Sequence, residues 1–133
     1  MNQVNTPGVG GYVVAWLVSV VVFVVALLLM IGESGWPPED AGYLFVFVLL
    51  VSVPFAVPGI LLVDRACRDI PSQLPHVLLA AGAGGLSGVV LFLLAPGLVL
   101  TPPVLAVATG LGRAAVVPLV WHRRNSAVPA VTG

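Results

Sequence analysis

The chain has 133 residues, of which five are basic, five acidic and two His, giving a formal net charge of zero. Hydrophobic residues make up 59% and charged residues 8%, against about 25% charged in an ordinary soluble domain. So few polar side chains cannot cover a water-soluble core, and the single Cys, balanced charge and absence of Lys exclude a disulfide scaffold and a basic nucleic-acid binder. The class that remains is an integral membrane protein whose partner is the lipid bilayer.

A spanning helix needs about 20 mostly apolar residues, and four stretches approach that length. Residues 1–11 form a short polar segment ahead of the first span, residues 12–31, where Ser19 is the one polar side chain. The 1–11 segment lacks Lys and Arg, the apolar run is longer than a signal-peptide core, and Met30-Ile31-Gly32 is a poor cleavage site. The first span therefore reads as a retained anchor. A loop with Glu33, Glu39 and Asp40 follows, with Gly35-Trp36-Pro37-Pro38 as a rigid outer turn.

The second span, residues 41–63, contains Pro54 and Pro58, each of which removes an internal hydrogen bond and predicts a kink. Ser52 and Ser87 are hydroxyls that can answer freed carbonyls in such places. The connection 64–69 holds Asp64, Arg65, Cys67, Arg68 and Asp69. Continued as helix, it would pair Asp64 with Arg68 and Arg65 with Asp69 at i,i+4 spacing. Pro71 and Pro75 precede the third span at about 77–97, and the fourth runs from about 104 to 121 with Arg113 inside it. Residues 122–133 form a short tail. The spans take up about 80 residues, so the chain reads as one all-α domain, a compact four-helix bundle.

Helices are expected although 27 residues are Val, a strand former in water. In hydrocarbon every backbone N–H and C=O needs an internal partner, which only a helix or closed barrel supplies. Barrel strands alternate apolar and polar residues, whereas Val20-Val21-Val22-Phe23-Val24-Val25 is apolar throughout.

Arginines favour the cytoplasmic side. Arg65 and Arg68 lie between spans two and three, Arg123 and Arg124 after span four, and the loop after span one carries acids alone. Both termini are therefore expected in the cytoplasm, with the protein in the plasma membrane. Tyr12, Trp16 and Trp121 would form the inner aromatic belt, and Trp36 and Tyr43 the outer.

The third span carries Ala80, Gly84 and Gly88 at four-residue spacing, with Ala81 and Gly85 beside them; the fourth carries Ala106, Gly110 and Ala114, and also Ala108 and Gly112. Such stripes let helices approach closely, so that van der Waals contact replaces the missing hydrophobic drive. Packing of helix three on helix four is the plain expectation, and a homo-oligomer or partner-protein seam the sharper one.

Arg113 is the one charge inside a span, where it costs at least about 2.5 kcal/mol on insertion scales. It lies roughly 12 Å along the helix from Trp121. Snorkelling toward the inner headgroups, or pairing with a carbonyl, Asp64 or Asp69, is the structural reading. An anion or lipid-phosphate contact, with Thr109 one turn away supplying a hydroxyl, is the functional one. Cys67, His76 and His122 read as ordinary interfacial side chains without metal-ligand spacing. No nucleophile–base set, phosphate loop or metalloprotease motif is present, so no enzyme activity and no cofactor are expected.

Two functions fit. One is a non-catalytic accessory or scaffolding subunit, or a regulator, docking on a larger membrane complex through Gly/Ala faces. The other is a small oligomeric transporter or channel with an anion-type pathway at Arg113. In size and span number the chain is similar to small multidrug exporters, four-helix dimers whose coupling uses a carboxylate in the first helix. This first span has none, so no family follows.

Overall fold

The computed structural model describes residues 7–31, 39–94, 96 and 99–127. The helices are α1 (Gly8–Ile31), α2 (Asp40–Cys67), α3 (Gln73–Leu94), α4 (Thr101–Ala115) and α5 (Val117–Ala127). Four helical stretches are long and apolar enough to cross a membrane, α4 and α5 together making the fourth. The protein is all-helical among the described residues, and the four spans pack into a compact bundle. The outer turn at 35–38, including Trp36, lies outside the described residues, as do Glu33 and the last residues of the tail.

The helices run beyond the apolar stretches that mark them in sequence. α3 begins at Gln73 rather than 77, and α4 at Thr101 rather than 104. The reason is shared: the first-turn N–H groups of a helix have no internal acceptor, so Pro75 in α3, and Pro102 and Pro103 in α4, lose nothing there. The first hydrogen bond of α4, Val104 N–H to Leu100 C=O at 3.1 Å, falls just past these prolines. α3 ends at Leu94, short of the expected Gly97.

The fourth span, expected as one helix to Trp121, is broken at Val116. Pro118 has no N–H for the Ala114 carbonyl and disfavours helical geometry in the residue before it. The Val116 N–H turns to the Arg113 carbonyl at 3.3 Å, and helix resumes as α5 with Val120 N–H on Val116 C=O. α2 remains helical through Pro54 and Pro58. The Ser52 hydroxyl donates to the Leu49 carbonyl at 2.8 Å, not to the Leu50 carbonyl that Pro54 leaves without its usual donor.

α4 is the central element, packed closely on α3 and on α1, while α2 touches α1 and α3 more sparsely. Side-chain contacts place the start of α1 beside the end of α2, and the start of α3 beside the end of α4. The spans thus alternate in direction. One end of the bundle collects Asp64, Arg65, Arg68, Arg123 and Arg124, the arginine-rich end. There Arg124 donates to the Pro71 carbonyl at 2.8 Å, and the guanidinium of Arg123 lies over Gly8, whose φ of 71° suits glycine.

Candidate functional site

The small residues of α3 and α4 face each other inside the chain. A Cβ on Gly84 would sit 2.6 Å from the Leu105 carbonyl oxygen and collide with the Thr109 side chain; one on Gly88 would meet the backbone of Pro102. Gly85 faces Ala106, and Gly110 faces Ala81. The Thr109 hydroxyl donates across the seam to the Ala80 carbonyl at 2.9 Å, with the Leu105 carbonyl at 2.8 Å as an alternative acceptor in its own helix. Thr109 is therefore engaged in packing rather than in serving Arg113. Ala114 stands apart from the seam and is exposed.

The second stripe of α4 serves a different neighbour. Ala108 is fully buried, and Gly112 lies against the Ala15 carbonyl and the Ser19 side chain of α1. Gly11, Ala15 and Ser19 are themselves four residues apart, a small-residue spacing within a Val-rich helix that marks this second seam in the sequence. Ser19 donates to Ala15 C=O at 2.7 Å, keeping its hydroxyl satisfied.

α2 turns Ser52, Ala56 and Gly59 toward the bundle together with the bulkier Phe55, Ile60 and Val63, and it stands off. Between it and the α1–α4–α3 layer lies a cleft of about 760 Å³. Its lining is largely apolar, with Phe23, Phe55 and Leu91 along its length and Tyr12, Thr109 and Arg113 toward the arginine-rich end. Trp16, one turn beyond Tyr12, lines the cleft and donates from Nε1 to Ser52 Oγ at 2.9 Å. That bond links α1 to α2 across the bundle.

Arg113 lies where the fourth span meets this end. It is 2% exposed, so it does not snorkel to the headgroups. Nor does it pair with Asp64 or Asp69: its Nη2 donates to Gln73 Oε1 at 3.0 Å, while Nε and Nη1 are buried without a hydrogen-bond partner. Asp64 is occupied elsewhere, accepting from Tyr12 Oη at 2.9 Å and pairing with Arg68 at 3.4 Å. The expected Arg65–Asp69 pair does not form because α2 ends at Cys67, ahead of Asp69. Gln73 lies ahead of the apolar run and carries no charge, so neither hydropathy nor charge marks it in the sequence.

Cys67 and His76 are fully buried rather than interfacial. Both sit in helical turns that extend past the apolar runs, so the bundle encloses them. His76 Nδ1–H donates to the Ser72 carbonyl at 2.8 Å, leaving Nε2 buried and unpartnered. His122 is exposed and apart from them. Among the described residues no three His, Cys, Asp or Glu side chains are grouped to hold a metal ion.

These features define a class, a small bundle with four helices able to span a membrane and a buried guanidinium beside an apolar cleft. The chain matches no protein-family model, no curated protein and no solved structure.

Proposed function

We propose that this is a small non-catalytic multi-pass protein of the plasma membrane, acting as an accessory subunit or regulator that packs against other membrane proteins. The observation that carries this reading is the seating of α2. Of its 28 residues, Val63 and Cys67 are buried, while Tyr43, Phe47, Leu50 and Leu61 are exposed. A helix held so lightly by its own chain offers its outer face to a partner helix. The α3 and α4 stripes are less available, because Gly84, Gly88 and Gly110 contact their own chain. The non-catalytic reading rests on the cleft's hydroxyls, since Ser19, Ser52, Ser87 and Thr109 each donate to a backbone carbonyl. The arginines support cytoplasmic termini.

The test is purification from native membranes in mild detergent. Stoichiometric association with a larger complex, lost in Leu50→Arg without loss of folded protein, is the expected result; Leu50 is exposed and lies off the cleft. A clean homo-oligomer that moves anions across liposomes, with transport lost in Arg113→Ala, would replace this reading by the second. That alternative, a small oligomeric transporter or channel, is favoured by Arg113 lining the cleft.

A further inference from the structure

We propose that the cleft between α2 and the α1–α4–α3 layer binds an acidic amphiphile, its acyl chain along the apolar walls and its anionic head on Arg113. Two independent observations converge on it. The first is shape and chemistry: a cleft of about 760 Å³ with largely apolar walls runs from Leu27 and Leu91 at one end to Tyr12 and Arg113 at the other. That volume lies within the roughly 300–1,000 Å³ of ordinary small-molecule sites. The second is an unanswered charge. Arg113 is 2% exposed, and two of its three guanidinium nitrogens lack a hydrogen-bond partner.

A buried cation is kept where something balances it, and no carboxylate of the described residues forms an ion pair with this one. Gln73 Oε1 contributes a neutral acceptor at 3.0 Å. Asp64 is held by Arg68 and Tyr12. Nη1 carries two N–H donors without a partner, and a carboxylate or phosphate monoester accepts from such donors in charge-assisted hydrogen bonds. A free inorganic anion would satisfy the guanidinium but leave the apolar length of the cleft without a role. A neutral lipid chain would do the reverse. An anionic head on an acyl chain answers both, reaching the guanidinium by a swing of the flexible arginine side chain into the cleft it already lines.

Trp16 lies in this cleft and provides the readout. The protein is prepared in neutral detergent with Trp36→Phe and Trp121→Phe, leaving Trp16 as the fluorophore, and titrated with dibromostearate, a quencher carried on the acyl chain. Its methyl ester is the uncharged comparison. The expected result is saturable quenching by the acid, roughly tenfold or more tighter than by the ester. Arg113→Gln should abolish that preference while chain-dependent quenching persists. Because Arg113→Gln can disturb folding, Gly82→Leu supplies a second arm. Gly82 lines the cleft and has open space at its Cβ, so the leucine fills the cleft without a clash and should weaken acid and ester alike. Acyl phosphate in place of the carboxylate, as lysophosphatidate competing with dibromostearate, tells which anionic head is preferred; displacement by inorganic phosphate alone would show that the chain is unnecessary and overturn the proposal. Equal affinity for acid and ester in the wild-type protein, or unchanged binding in Gly82→Leu, would overturn it as well.

Discussion

Arg113 Nη2 donates a hydrogen bond to Gln73 Oε1 at 3.0 Å, joining the last turn of α4 to the first turn of α3. The two residues are 40 positions apart in the chain, and the bond is the sole one that a buried arginine makes through its side chain among the described residues. Gln73→Ala should therefore destabilise the bundle by about 1–3 kcal/mol, the penalty of leaving a buried charged donor unsatisfied. Gln73→Glu, which offers a carboxylate at the same reach, should restore most of it. Unfolding in mixed micelles, followed by far-ultraviolet circular dichroism, ranks the three proteins; equal stability of wild type and Gln73→Ala would show that the bond carries nothing.

Two glycines of one helix should respond oppositely to the same substitution. Gly84→Leu places a side chain against the Leu105 carbonyl and Thr109, forcing α3 from α4; overpacking of this kind costs about 1–3 kcal/mol or more. Gly82→Leu meets open space and should leave folded yield near wild type. Because the Gly84 seam lies within the chain, the loss should be seen in yield and melting, not in a changed oligomeric state. A normal melting profile for Gly84→Leu would break the seam.

The Thr109 hydroxyl crosses from α4 to the Ala80 carbonyl. Interhelical hydrogen bonds of this sort in membranes average about 0.6 kcal/mol and reach about 1.7. Thr109→Val, nearly the same shape, should fall in that window by the same unfolding measurement, and well below the cost of Gly84→Leu. A larger loss for Thr109→Val than for Gly84→Leu would reverse the assignment of packing over hydrogen bonding.

Cys67 is fully buried and free, so a maleimide should label it after denaturation and not before. Its burial also makes it unsuitable as a reporter of sidedness. Ser126, exposed on α5, serves instead: Ser126→Cys should resist a membrane-impermeant maleimide in intact cells and react once the membrane is opened. Labelling in intact cells would reverse the proposed orientation.

Much of this architecture is legible in the residues. Largely apolar runs of 18 residues or more mark four spans because hydrocarbon permits few alternatives to helix. What stays hidden lies where polar and apolar stretches meet. Cys67 and His76 lie outside the apolar runs, yet the helices carry them into the interior and leave Gln73 half-buried beside them, since a helix start tolerates proline and a helix end tolerates charge. Pro118 breaks the fourth span at Val116, a break that hydropathy hides because the apolar run continues on both sides. The cleft left no trace in any single segment. It arises because α1 and α3 close on α4 through small residues while α2 stands off despite Ser52, Ala56 and Gly59 on its cleft side, a relation among four helices rather than a pattern in one.

The break at Val116 also changes what α5 is. Arg124 reaches the Pro71 carbonyl beside α3, and Arg123 lies over Gly8 at the start of α1, so the segment after the break is a crossbar strapped over the ends of the two helices that flank α4. The same end of the bundle holds Arg113, 2% exposed. The proposed amphiphile would then enter past the sparsely held α2, from the side of the bundle rather than from its arginine-rich end.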